Sequence, residues 1–234
     1  MAYDSAALLK ALARFARLLP TEYDVPSALD ELVDGLTRVL GLAGAGVSLE
    51  SEDGLKFITA PNEQIAEIER TQERTGEGPC AEAFERGQPV IVADLSSHAG
   101  EWPQYCAAAA QHSIVAAAGV PMMVGEHKVG VTNLYDSRRR DWTTDEMEAA
   151  RVLADMATGY AVNADKRRQM QQLTEQLDYA LKSRIVIEQA KGIIANVHGI
   201  GPDEAFVLIR RYARNKQARL HAIASAIVEA GLRI

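Results

Sequence analysis

The stretch VAAAGVPMMVGEHKVGVTNLY, residues 115–135, decides the fold class. Two runs suited to extended backbone, 115–124 and 128–135, flank the polar Gly125-Glu126-His127, and this reads as two long antiparallel strands with their turn. Upstream, the apolar or alternating segments 45–51 and 55–60 are separated by Glu52-Asp53-Gly54. The Asp-Gly pair signals a hairpin, because both central positions of the favoured tight turn require positive φ. Residues 89–93, Pro-Val-Ile-Val-Ala, form one more short apolar strand. Residues 6–19, 27–40, 61–72, 80–86 and 102–111 read as helices, with Gly41 and Gly87 closing two of them. The expected architecture is α+β, a meander of antiparallel strands flanked by helices.

Downstream the character changes. Thr143-Thr144-Asp145-Glu146 supplies helix-start chemistry, and no proline occurs between Pro121 and Pro202, with Gly159 the only glycine from Thr144 until Gly192. A long helix is expected there. Met170, Leu173, Leu177, Ala180, Arg184, Ile187 and Lys191 follow in steps of three and four. The spacing predicts a short dimeric coiled coil, the alternative being a long helix packed on its own domains. Three helices finish the chain. The first stops at His198-Gly199-Ile200-Gly201, and Pro202-Asp203-Glu204 then opens the second. On the second, Ala205, Leu208, Ile209 and Tyr212 share one face while Arg210, Arg211 and Arg214 occupy the next. The third repeats the apolar template with Leu220, Ile223, Ala224 and Ile227 before Gly231. An all-α three-helix bundle follows.

The chain has 234 residues, 47% hydrophobic and 24% charged, which fits an ordinary globular protein of one or two domains. The overall charge of −7 hides an asymmetry. Residues 1–164 carry 13 Lys and Arg against 25 Asp and Glu, a net −12, whereas residues 165–234 carry 12 against 7, a net +5. A basic module on an acidic body suits a polyanion at one end only. Two cysteines, Cys80 and Cys106, exclude a disulfide framework and a four-cysteine zinc site and suit a reducing compartment. The beginning of the chain lacks a secretory signal pattern and no apolar run approaches membrane-spanning length, so a cytoplasmic protein without a membrane partner is expected.

Residues 179–230, with Tyr179-Ala180-Leu181-Lys182-Ser183-Arg184, Ile187-Glu188-Gln189-Ala190-Lys191-Gly192-Ile193-Ile194, Asp203-Glu204-Ala205-Phe206 and Leu208-Ile209-Arg210, resemble the ANTAR domain. That resemblance implies an RNA-binding three-helix bundle, a transcription antiterminator whose dimers recognise paired stem-loops in leader transcripts and so act on RNA polymerase indirectly. The family's frequent Met after the Gly-Ile-Ile region is replaced here by Ala195-Asn196. Residues 25–162 resemble a GAF domain of the kind joined to ANTAR modules in actinobacterial regulators. The similarity rests on Gln72-Glu73-Arg74-Thr75-Gly76-Glu77-Gly78-Pro79-Cys80, Asp94-Leu95, Trp102-Pro103, Val120-Pro121 and Gly130-Val131-Thr132-Asn133-Leu134-Tyr135. It implies a central antiparallel sheet with a small-molecule pocket on one side and dimerising helices on the other. The expected organisation is a helix over 1–24 that contributes to a homodimer, a GAF-like sensory domain over 25–162, a helical linker over 163–178 and the ANTAR domain over 179–234. The signal, a small molecule or a protein partner, is unidentified, and no cofactor is named by the residues.

For RNA, Arg184, Lys191, Arg210, Arg211, Arg214, Lys216 and Arg219 offer phosphate contacts, Gln189 and Asn215 can read base edges, and Gly192 and Ala190 permit close approach of a nucleotide or a neighbouring helix. Tyr212 fits the apolar stripe and is expected in the core. The last helix is nearly uncharged, which disfavours a DNA-reading helix-turn-helix. A DNA-binding regulator and a protein-interaction adaptor remain the alternatives. Gly76-Glu77-Gly78 lacks the spacing of a phosphate loop and is followed by Pro79, which has no amide donor. Cys80, at a helix start, is the candidate redox sensor if the helix dipole lowers its pKa, against an inert packed cysteine. His98 and His112 have no ligand pattern around them, so no metal site is expected. No catalytic triad or carboxylate pair is present either, and the chain is expected to act without catalysis.

Overall fold

The strand pair expected over residues 115–135 lies at the centre of a five-stranded sheet in the computed structural model, which describes residues 3–18 and 25–234. The strands are β1 Gly44–Ser51, β2 Gly54–Thr59, β3 Val90–Val92, β4 Ala116–Val124 and β5 His127–Asp136, in the order β2-β1-β5-β4-β3. All pairs are antiparallel. β4 and β5 pair from Ala116 opposite Asp136 to Val124 opposite His127. β1 returns across the sheet to pair with β5, Gly44 opposite Tyr135, so the expected single meander is two hairpin groups joined by a crossover. The first hairpin also differs in detail. Glu52 and Asp53 form its loop and Gly54 opens β2 opposite Ser51 at φ 109°, so positive φ falls on the glycine and not on Asp53.

Strand side chains alternate between two helical layers. One layer holds α1 Ser5–Leu18, α2 Val25–Leu40 and the start of α6 Thr144–His198, with Phe15, Leu29, Leu36, Val120, Leu134 and Leu153 buried between them and the sheet. The other holds α3 Glu63–Thr75, α4 Pro79–Arg86 and α5 Pro103–Gln111 over Val131 and Tyr135. A 3₁₀ turn, Leu95–His98, precedes α5 and was not legible as an element. The apolar face of α1 is used within this unit through Ala11 and Phe15, leaving Leu9 exposed. Leu19, the last residue of the expected helix, lies outside the described residues.

The start of α6 is fixed by reciprocal bonds. The Thr143 amide donates to Glu146 Oε2 at 2.8 Å, and the Glu146 amide donates to Thr143 Oγ1 at 3.3 Å. Arg140 secures the same corner. Its guanidinium donates to Asp136 at 2.6 Å, to Glu146 at 2.6 Å and to the Leu40 carbonyl at 2.7 Å, tying β5, α6 and the end of α2 together.

The contacts divide the chain into one compact unit running to Asp165 and another over Lys166–Ile234. In the second, the end of α6 packs with α7 Pro202–Asn215 and α8 Leu220–Ala230 around Ala190, Ile194, Ala205, Ile209, Ile223, Ala224 and Ile227. This is the three-helix arrangement expected from the sequence. The earlier turns of α6 carry exposed apolar side chains, Met170, Leu173, Leu177, Leu181 and Ile185. Beyond Leu177, Leu181 and Ile185 are exposed beside the equally exposed Ala180 and Arg184 of the expected pattern, while Ile187 is half-buried and packs against the bundle core.

Candidate functional site

In the first unit, α3 presents Ile65, Ile68, Glu69 and Gln72 to the sheet, an apolar stripe interrupted by a carboxylate and an amide. Glu69 is fully buried. Asn133 Nδ2 donates to both its oxygens at 3.0 and 2.9 Å, the Tyr135 hydroxyl donates at 3.0 Å and the Ser48 hydroxyl at 3.4 Å. Gln72 extends the network, its Nε2 donating to the Tyr135 hydroxyl at 3.3 Å and its Oε1 accepting from the Cys80 amide at 2.8 Å. A β-carbon at Gly46 on β1 would overlap the Glu69 carboxylate, so only glycine lets α3 bring this group against the sheet. Gly78, at φ 116°, likewise leaves room for the Gln72 amide.

All the hydrogen bonds to Glu69 come from neutral donors. Burial therefore dominates, and it pushes the Glu69 carboxyl up from 4.5 to about 7 against the pull of Asn133, Tyr135 and Ser48. Burial, reinforced by the neighbouring Glu69, also pushes the Tyr135 and Tyr105 hydroxyls up. Among the described residues, Tyr105 Oη and Asn133 Oδ1 are buried without a hydrogen-bond partner. A cavity of about 300 Å³ opens beside the network, with Ser48, Gln72 and Cys80 on its inner wall, Phe84 and Leu55 as apolar surface, and Asp53 and Glu73 among its other lining residues. Sequence reading missed this cluster, although Glu and Gln within the apolar stripe of α3 and Asn133 within a buried strand were its signal.

Cys80 sits on that wall 3% exposed. Burial and then the Glu69 charge push its thiol up, opposite to the lowering that the redox-sensor alternative would need. Cys80 and Cys106 are both free thiols. Glu77 Oε2 accepts from the Gln104 and Tyr105 amides at 2.9 and 3.3 Å, so the Gly76-Glu77-Gly78 segment anchors the start of α5. His98 stacks on Trp102 with ring centres 4.9 Å apart. Among the described residues, no group of three or more His, Cys, Asp and Glu is placed to hold a metal, and no helix is long and apolar enough to cross a membrane.

In the second unit, Arg210, Arg211, Arg214 and Asn215 are exposed along α7, opposite the buried Ala205, Ile209 and Ala213. Lys216 and Arg219 are exposed in the turn to α8, the Lys216 amine 5.9 Å from the centre of the Tyr212 ring. Tyr212 is half-buried against the core, as its spacing implies. On α6, Arg184, Gln189 and Gly192 are exposed. Lys191 differs, with its side chain only 14% exposed. Its amine donates to Glu188 at 3.0 Å and lies 5.8 Å from the centre of the Phe206 ring. Ala190 is wholly buried, so its small size serves helix packing rather than approach by a nucleotide. At about 100° per residue, Gln189 stands about 160° around the helix from Lys191, while Arg184 shares the side of Lys191.

Residues 24–159 match the GAF domain and residues 175–228 match the ANTAR domain. Among solved structures, the GAF domain of a phosphoenolpyruvate-protein phosphotransferase from Coxiella burnetii is 15% identical, with a TM-score of 0.53 over 71% of this chain and 99% of that one. The corresponding Acinetobacter domain is 16% identical, with a TM-score of 0.52 over 70% and 97%. fRMsr of Staphylococcus aureus is 13% identical, with a TM-score of 0.52 over 68% and 97%. At these identities the likeness is one of fold. Among curated proteins none matches the chain. GAF is a ligand-sensing domain and ANTAR an RNA-binding antiterminator domain, which assigns the chain a regulatory role, although some GAF relatives are enzymes. The chain belongs to the GAF domain family and carries an ANTAR domain in its C-terminal unit.

Proposed function

We propose that the chain is a cytoplasmic, homodimeric antiterminator of the actinobacterial GAF and ANTAR type. Its C-terminal domain, residues 179–234, binds paired stem-loops in leader transcripts, so that a competing terminator does not form and RNA polymerase is affected indirectly. The observation that carries this reading is the exposed arginine face of α7, Arg210, Arg211 and Arg214, backed by a buried apolar face. Asn215, Lys216 and Arg219 continue that surface, and Arg184, Gln189 and Gly192 add to it from α6. Lys191 enters by exchanging Glu188 for a phosphate. The sensory domain, residues 25–162, takes its signal at the cavity beside Glu69. No basic side chain lines that cavity, which favours a neutral or cationic ligand over a phosphate-bearing one.

In this reading α1 and the linker over 163–178 contribute to dimerisation. The exposed Met170, Leu173, Leu177, Leu181 and Ile185 recur in steps of three and four, and a second copy would cover them. The chain acts by binding and not by catalysis, since the buried Cys80 thiol is a poor nucleophile at neutral pH. Competition between a two-hairpin leader RNA, duplex DNA and an acidic polypeptide at two salt concentrations tests the proposal. RNA is expected to win, with affinity falling by a log–log slope of about −0.7 per single-strand phosphate contact. Preference for the polypeptide or for DNA contradicts it.

A further inference from the structure

The C-terminal unit holds three aromatic residues besides its histidines, Tyr179, Phe206 and Tyr212. The amine of Lys191 lies over Phe206 and that of Lys216 over Tyr212, and both rings belong to half-buried residues. Tyr179 alone of the three is exposed, at 54%. Its ring rests against His221 of α8, with centres 5.4 Å apart and planes inclined by 58°. The buried Nδ1 of His221 has no hydrogen-bond partner among the described residues, so the ring pair is held by packing. Tyr179 does not belong to the exposed apolar stripe of α6 either. At about 100° per residue it stands about 160° around the helix from both Leu177 and Leu181, so a helix pairing along that stripe leaves the ring uncovered. Charge changes sign at this position. Glu175 and Asp178 precede it, Lys182 and Arg184 follow it, and Arg219 stands two residues before His221, all of them exposed.

We infer that the Tyr179 ring, propped by His221, is a stacking platform for one unpaired base of an RNA loop at the outer edge of the basic surface. The inference rests on the RNA reading above and adds to it a specific residue of a different chemistry. Arginines and lysines fix phosphates, whereas an aromatic face takes a splayed base and contributes affinity with little dependence on salt. Tyr179 does this with its position already set by the contact between α6 and α8.

The test uses the full chain and a two-hairpin leader RNA, in wild type and in Tyr179→Phe, Tyr179→Leu and Arg214→Ala variants. Tyr179→Leu keeps an apolar side chain on His221 and removes the π face, and circular dichroism verifies that the helices persist. Tyr179→Leu is expected to weaken binding about tenfold with the salt slope unchanged, and Tyr179→Phe to bind like wild type. Arg214→Ala is expected to weaken binding and reduce the slope by about 0.7 to 1. Abasic substitutions along the loops should reveal one position whose loss costs wild type affinity and costs Tyr179→Leu almost nothing. Equal affinities for Tyr179→Leu and wild type, with Arg214→Ala impaired, overturn the stacking role and leave the RNA reading standing. Failure of wild type to select RNA over duplex DNA overturns both.

Discussion

Glu69→Gln is expected to stabilise the N-terminal unit by about 3 kcal/mol above pH 7 and to leave it unchanged near pH 4. Burial holds the folded carboxyl at about 7 against an ordinary 4.5. Between these values the folded protein retains a proton that the unfolded chain releases, so wild-type stability falls as pH rises through the window. Below it both states are protonated and there is no penalty, and above it both are ionised and the penalty is complete. Glutamine is nearly isosteric, and its carbonyl can still accept from Tyr135. It carries no charge to desolvate. Both tryptophans, Trp102 and Trp142, lie in this unit, so their fluorescence during urea unfolding reports it without the C-terminal helices. The variant is expected to show a flat profile where wild type slopes. Parallel profiles would mean that Glu69 titrates like an exposed carboxylate.

Arg140→Ala is expected to cost the same unit about 3–5 kcal/mol, because it removes the cation from two buried carboxylates and leaves both charges in place. Asp136 and Glu146 have side chains only 6% and 8% exposed, and Arg140 bridges them while also satisfying the Leu40 carbonyl. Burial alone would raise the Glu146 carboxyl, but the Thr143 amide and Arg140 overcome it and hold the group below its ordinary value. The guanidinium also lies 4.9 Å from the centre of the Trp142 ring, so the fluorescence of the folded state should change as well. Arg140→Lys offers a single ammonium in place of a fork that reaches three acceptors, and is expected to recover only part of the loss. Arg139→Ala is the control. Its partner Asp141 is 81% exposed, and the change is expected to stay within about 0.5 kcal/mol of wild type. Equal urea midpoints for Arg140→Ala and Arg139→Ala would contradict the clamp.

Local chemistry made most elements legible. The box of Thr143 and Glu146, the left-handed Gly87 and Gly231, and Pro202 at the first turn of α7 all act within a few residues of one another. The pairing of β1 with β5 was not legible, because strand order is set by which helical layer each strand must cover and hairpin spacing carries no trace of it. The Glu69 network escaped for a related reason. Its donors come from β1 and β5, with Asn133 lying 64 residues away in sequence, and a buried carboxylate is unexpected until those partners are assembled. On the proposed RNA face, exposure of the α7 arginines followed from the helical period. The burial of Lys191 did not, since it depends on Glu188 and Phe206, whereas the small Ala190 takes the helix-packing one of its two expected uses.

The central claim is that the arginine face of α7 binds RNA, and its most direct test compares the full chain with its Arg210→Ala, Arg211→Ala, Arg214→Ala triple variant on a two-hairpin leader RNA in the presence of competing duplex DNA. All three side chains are exposed, so the bundle is expected to keep its helical signal and unfolding midpoint. Wild type should hold the RNA against the competitor. The triple variant should lose at least about a hundredfold in affinity, with a salt slope shallower by about 2 to 3. Unchanged RNA affinity in a folded triple variant would contradict the account.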